Sequence, residues 1–275
     1  MTTPPAGNGQ SGEMRGGNGA PGDRRVDSSA PDGDGQSEEV RGGVGLRVLS
    51  YNVHRWGDDR VALERVVRAC RPDVMLVQEA PTWWGTRRKR RAMAATFGLR
   101  YVAASARNAI LVADGIELTG LRGRRTWRPF VRRRLNFIAT QLPGGTVGGV
   151  VHLGSTRLAV VVCHLGLHPR GRTHELAQVL SLCNSFGTPY LLTGDLNEEP
   201  DGPIWKRLAE EGLTDLGADA GPTFNSRTPY KRIDGALLKP PLTGRLRHVP
   251  ATREDLAAAS DHLPMLVELS PSSSD

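Results

Sequence analysis

From residue 46 onward, short apolar runs alternate with stretches of helical spacing. Residues 46–53 (LRVLSYNV) read as a strand, being apolar, β-branched and too short for a helix. Residues 59–70 (DRVALERVVRAC) place Val61, Leu63, Val66, Val67 and Cys70 at mostly helical spacing, with Asp58 or Asp59 as the N-cap. Residues 73–79 (DVMLVQE) form an apolar run ending in a carboxylate, and 86–97 fit a basic helix. Strands are predicted at 101–104 and 109–113, and Gly-punctuated runs at 137–142, 147–153 and 158–163 predict a meander. Residues 173–185 put Leu176, Val179, Leu180 and Cys183 on one helical face, and 190–193 form a strand feeding the loop GDLNEEP. Residues 204–211 suit a helix with Pro203 at its first position, where a missing N–H is tolerated. Strands at 233–238 and 263–269 close the chain. Many strands, joined by hairpins and by βα connections and accompanied by several helices, predict an α/β or α+β sandwich.

Residues 1–45 lack this patterning. They are Gly, Pro, Ser, Asp and Asn with almost no large apolar side chain, so they are expected to form a disordered acidic tail, with 271–275 a second short one. The first 45 residues hold four Arg against seven Asp or Glu, which leaves 32 basic and 22 acidic residues for the body. Such a basic body favours polyanionic partners. No apolar run is long enough to span a membrane. The opening MTTPPAGNGQSGEM has no basic segment followed by an apolar one, as a signal peptide would. Cys70, Cys163 and Cys183 are odd in number, lack CxxC spacing and sit in apolar surroundings, so buried reduced thiols are expected. Together these features predict a cytoplasmic protein, with a monomer favoured.

Polar residues gather where apolar strands begin or end. Asn52 and His54 follow LRVLSY, Glu79 follows DVMLVQ, and His164 follows LAVVVC. Asp195 and Asn197 follow YLLTG, Asp234 precedes GALL, and Asp261 and His262 precede LPMLVEL. Strand ends on a rigid sheet hold side chains in fixed positions beneath open loops, where sites are commonly built. Singly, each is an ordinary turn or surface residue; nine in one chain point to chemistry. The order NVH, QE, NAIL, HL, GDLN, RID, SDH resembles the endonuclease/exonuclease/phosphatase family, with its deoxyribonuclease-I-like fold, across residues 46–270. The resemblance implies a four-layer α/β sandwich of two packed mixed β-sheets flanked by helices, with the site at one end. It also implies metal-dependent hydrolysis of a phosphate ester.

Hydrolysis of a phosphodiester needs a cation near the phosphate, a base for the water and donors for the phosphoryl oxygens. By resemblance Glu79 is the main metal ligand, Asn52 its neutral partner, and Asp261 a ligand directly or through water; magnesium is the expected ion, with manganese the alternative. His262 matches the histidine that accepts the proton of water, and Asp234 the carboxylate that orients it. Asp195 resembles the residue that positions the water or assists the leaving group. Asn197 resembles a phosphate donor, and His164 a second histidine that binds phosphate or protonates the leaving oxygen. Asp195 and Asn197 are expected to share a face of an extended segment. Ser260, Asp261 and His262 are consecutive, so they do not form a serine triad. His54 stands outside the core assignment, and His152, His168, His174 and His248 are expected at the surface.

RRKRR at 87–91 and seven arginines in 122–134, flanked by Trp83, Trp84 and Trp127, favour DNA or RNA as substrate, through phosphate neutralisation and base stacking. The expected activity is therefore that of a nuclease, an endonuclease or exonuclease. A phospholipid, sphingomyelin or small-molecule phosphodiesterase or phosphatase is the alternative, and a silent nucleic-acid-binding module the non-enzymatic one.

Overall fold

The structure is a computed structural model, in which residues 1, 45–82, 84–126 and 144–270 are described. All that follows concerns the unit that begins at Arg41. The expected tails, the run at 137–142 and the residues Trp83 and Trp127 lie outside the described residues, apart from Met1 and Gly45.

Among the described residues, twelve strands form two six-stranded sheets. The first sheet contains β1 (Leu46–Asn52), β2 (Val74–Gln78), β3 (Arg100–Ser105), β4 (Asn108–Val112), β11 (Thr243–Arg247) and β12 (Met265–Ser270), in the order β11-β12-β1-β2-β4-β3. The second contains β5 (Thr119–Thr126), β6 (Gly144–Leu153), β7 (Thr156–His164), β8 (Tyr190–Asp195), β9 (Thr214–Asp215) and β10 (Asp234–Leu238), in the order β5-β6-β7-β8-β10-β9. Each sheet has one parallel pair, β1 with β2 and β7 with β8, and its other pairs are antiparallel. Each parallel pair needs a crossover, supplied by α1 (Arg60–Cys70) and α3 (Pro169–Ser185). The two sheets thus repeat one pairing scheme without repeating any sequence.

The layers follow from strand alternation. Val48, Val74, Leu76, Ile110 and Val112 face Val160, Val162, Leu191, Ala236 and Leu238 between the sheets. Their neighbours point outward to helices. Leu49, Met75 and Leu111 meet Leu63, Val66 and Val67 of α1 and Met93 of α2 (Thr86–Thr96). On the second sheet, Val161, Cys163 and Leu192 meet Leu176, Val179 and Cys183 of α3, and Ile204 and Leu208 of α4 (Pro203–Glu210). Burial on both faces explains why the central strands read as continuous apolar runs. It also explains the inert cysteines: all three are free and buried, and burial pushes the Cys70 thiol up to about 12.

Asp59 is the cap of α1, accepting from the amides of Val61 and Ala62. The buried stripe of that helix is Ala62, Leu63, Val66, Val67 and Cys70, so Val61 faces solvent, contrary to the predicted face. Four of the strands and α-helices among the described residues have no counterpart among the predicted ones, the two-residue β9 being one. β5 is an exposed edge strand rich in Arg, lacking the apolar alternation that marks a strand. β11 alternates between exposed and half-buried residues. The helix α5 (Arg253–Ala259) buries only Ala259, although Thr252 caps it by accepting from the Asp255 amide. No helix among the described residues is long and apolar enough to cross a membrane. His152, His168, His174 and His248 are exposed.

Candidate active site

The shared pairing scheme brings the chemically useful residues to one end of the molecule. Asn52 ends β1 and pairs in register with Gln78, directly before Glu79. Asp195 ends β8, with His164 opposite it on β7 and Asp234 opposite it on β10. Directly opposed residues share a face of the sheet, so His164, Asp195 and Asp234 form a row. Gly194 lets that row form. Its φ of +145° is one that L side chains rarely adopt, and a Cβ there would lie 1.9 Å from the Cys163 carbonyl oxygen.

The Asp195 carboxylate is the centre of the cluster and is almost fully buried. Its Oδ2 accepts from Asn52 Nδ2 at 3.3 Å and lies 3.5 Å from His164 Nε2 and 3.7 Å from His262 Nε2. Its Oδ1 accepts from the Asn197 amide at 2.9 Å. This turn, with Asn197 at a φ of +52°, holds the two residues together in place of the expected strand alternation. Asn197 Nδ2 donates to the Leu165 carbonyl at 2.8 Å, which leaves a second amide hydrogen for a ligand. Burial, reinforced by the Asp234 charge, raises the Asp195 pKa well above the usual carboxylate range.

His262 is fixed on three sides. Its Nδ1 is 2.9 Å from Asp234 Oδ2, so Nε2 is the nitrogen turned toward Asp195. Its backbone amide donates to Ser260 Oγ, which donates in turn to the Asn52 carbonyl at 2.6 Å. Ser260 is therefore a strut between the α5–β12 connection and β1, not a nucleophile. The Phe224 ring covers the imidazole at a centroid distance of 4.9 Å. Burial opposes the charge on His262, but the Asp234 charge and hydrogen bond outweigh it and lift the pKa to about 9.

Glu79 follows Gln78, the register partner of Asn52, and Asp261 follows Ser260, which donates to the Asn52 carbonyl. Glu79 Oε2 is buried without a hydrogen-bond partner, between Arg107 Nη1 at 3.4 Å and Arg55 Nε at 3.6 Å. A buried carboxylate oxygen left unsatisfied in this way suits a hard cation. Asn52 Oδ1 accepts from the His54 amide at 3.1 Å. His54 Nδ1 lies 2.8 Å from Asp58 Oδ2 and 4.0 Å from Asp261 Oδ1. Among the described residues the three-group cluster of metal-binding size is Asp195, Asp234 and His262, which includes neither Glu79 nor Asp261. The hydrogen bond already joining His262 to Asp234 makes that trio a proton-holding unit, and the Glu79 oxygen that lacks a hydrogen bond stands outside it.

Left-handed backbone at non-glycine residues gathers here, at His54, Arg55, Trp56, Glu79 and Asn197. Such residues cost about 1–3 kcal/mol each and cluster at functional sites. Arg55, Arg107, Phe224 and Ser260 were not among the sequence candidates. Arg107 could have been found, since it directly precedes the NAIL segment, and Ser260, since it opens the SDH motif; Arg55 and Phe224 carry no distinguishing pattern.

Two sheets whose common end gathers two histidines, buried carboxylates and asparagines define a hydrolase of phosphate esters. The Endonuclease/Exonuclease/phosphatase family model matches residues 49–262, and the chain belongs to that family. The fold is shared with a Bacteroides thetaiotaomicron protein of the same family, at 18% identity and a TM-score of 0.67, covering 82% of this chain and 97% of that one. The mannosyl-6-phosphatase of the same organism is 19% identical, with a TM-score of 0.66 over 82% of this chain and 99% of that one. The human Nocturnin catalytic domain is 16% identical, with a TM-score of 0.65 over 83% of this chain and 94% of that one. No curated protein sequence matches the chain.

Proposed function

We propose that the protein is a magnesium-dependent nuclease that hydrolyses phosphodiester bonds of DNA or RNA. The observation that carries the hydrolytic reading is the meeting of Asn52, His164 and His262 on one buried carboxylate, Asp195. Glu79 would hold the cation, with Asn52 and Asp261 beside it, and the ion would neutralise charge on the phosphoryl group. His262 Nε2 takes a proton from water as its oxygen attacks phosphorus. Asp234 keeps that nitrogen turned inward and stabilises the resulting imidazolium. Asp195 holds the water between its carboxylate and the imidazole. His164 donates the proton that the leaving oxygen takes up as the P–O bond breaks. One water is consumed, and a phosphomonoester and an alcohol result.

Nucleic acid is favoured by the surface around this end. Arg87, Arg88, Lys89 and Arg91 are exposed on α2, and Arg122, Arg124 and Arg125 on β5. Lysines and arginines placed in this way neutralise a phosphate backbone. The test is a panel of plasmid DNA, single-stranded RNA, a sugar phosphate and sphingomyelin, each with magnesium or with chelator. Magnesium-dependent cleavage of DNA or RNA supports the reading. Turnover of the sugar phosphate or the lipid alone would replace it with a phosphatase or lipid phosphodiesterase.

A further inference from the structure

A cleft of about 540 Å³ opens beside the catalytic centre. Thr82, Thr86 and Arg90 line one side, residues 104–107 at the β3–β4 turn another, and Gly123 and Arg125 of β5 the third. Its walls come from both sheets, and they are fastened together. Ser105 Oγ donates to the Arg124 carbonyl at 2.8 Å, and Asn108 Nδ2 donates to the Gly145 carbonyl at 2.5 Å. Gly145 allows this close approach, because a Cβ there would lie 2.8 Å from the Ser105 carbonyl oxygen.

The described residues that line the cleft include three arginines and no carboxylate. Arg90 is 5% exposed. Its Nε donates to the Pro81 carbonyl at 2.9 Å and its Nη2 to the Ala106 carbonyl at 2.5 Å. Among the described residues no acidic side chain pairs with Arg90 or with the exposed Arg125. A guanidinium keeps its charge even when buried, so Arg90 is a fixed source of positive potential. Thr82 Oγ1 is buried with no hydrogen-bond partner among the described residues. Arg107 joins the cleft to the catalytic end, since it lines the one and lies 3.4 Å from Glu79 of the other. Arg90 and Arg125, which have no acidic partner among the described residues, make a phosphate-binding set with the spare hydroxyl of Thr82.

We infer that this cleft binds an internal phosphate of the nucleic acid strand, flanking the phosphate that is cleaved. The inference rests on the nuclease reading and extends it: the substrate is held at two phosphates at least, and Arg125, Arg90 and Thr82 set that preference.

The experiment compares an oligonucleotide with bis(4-nitrophenyl) phosphate, a diester with a single phosphate. Wild type, Arg125→Ala and Arg125→Glu are measured, with Arg157→Ala as a control from the start of β7, at the opposite end of that strand from His164. Arg125→Ala should raise KM for the oligonucleotide about tenfold, and Arg125→Glu further, with kcat nearly unchanged. The salt dependence of log(kcat/KM) should lose a slope of about 0.7. Neither variant should affect the small diester, and Arg157→Ala should affect neither substrate. Oligonucleotides with a 5′-hydroxyl and with a 5′-phosphate should show the same effect. An effect confined to the 5′-phosphorylated one would overturn the assignment to an internal phosphate. Unchanged oligonucleotide KM in both Arg125 variants, or equal losses on both substrates, would overturn the subsite while leaving the nuclease reading intact. Wild-type turnover of the small diester with none on any nucleic acid would overturn the nuclease reading, and the subsite with it.

Discussion

Asn52 and Asp195, which stand 143 positions apart, end the central strands of the two sheets and meet at 3.3 Å. Each is the last residue of a strand that belongs to its sheet's parallel pair, β1 with β2 and β8 with β7. The hydrogen bond between them is where the two halves of the sandwich become one site.

Two influences, burial and the charge of Asp234, oppose ionisation of Asp195. Asp195→Asn removes that burden along with the carboxylate that places the water. Activity should fall at least about 100-fold, while the melting temperature at pH 8 holds or rises. Thermal denaturation beside turnover checks this. A folded variant with wild-type turnover would remove Asp195 from the mechanism.

Glu79→Gln should separate cation binding from folding. Without magnesium its melting temperature should match that of wild type. With magnesium, wild type should gain about 2–3 kcal/mol when the ion is at about 100 times its Kd, and the variant should gain little. Hydrolysis should fall by about 10²–10⁴-fold. An equal magnesium shift in both proteins would place the ion elsewhere.

Protonation of His262 persists to about pH 9, because Asp234 holds the proton on the ring against the effect of burial. A base must lose that proton, so kcat/KM should rise with pH across the neutral-to-alkaline range. Asp234→Asn should lower the plateau and move the midpoint down, toward the ordinary histidine value of about 6.5. Activity falling over that range would assign the imidazolium an acid role instead. Stability has the opposite sign. A histidine raised on folding stabilises fully below about pH 6.5, and that contribution is lost as pH rises through about 9. Metal-free wild type should therefore lose melting temperature across the window, and His262→Asn should lose less.

Gly194→Ala should fail to fold, or melt more than about 10 °C lower, since its Cβ would meet the Cys163 carbonyl at 1.9 Å. A stable, active variant would contradict the close approach of β7 and β8.

Legibility followed burial. The central strands β1, β2, β7 and β8 could be read because both of their faces are apolar, and α3 because Leu176, Val179, Leu180 and Cys183 lie on its buried face. β5 could not be read, because an exposed edge strand of Thr, Gly and Arg has no apolar period. Val61 follows the helical spacing of α1 only loosely and faces water. Strand-end position singled out Asn52, Glu79, His164, Asp195, Asp234 and His262, but not which of them touch. That depends on the packing of the two sheets and on the loops at Asn197 and Ser260. Arg90 and Arg125 stand out in sequence as parts of basic runs, but not as lining one cleft, since its walls come from α2, the β3–β4 turn and β5.

The most direct measurement is kcat/KM for magnesium-dependent cleavage of a labelled oligonucleotide by wild type, Asn52→Ala, Asp195→Asn and the double variant. Residues that act as one unit lose activity non-additively. Wild type should turn over, each single variant should fall about 100-fold or more, and the double should lie within about threefold of the weaker single. Losses that multiply, or folded single variants as active as wild type, would contradict a single hydrolytic centre shared by the two sheets.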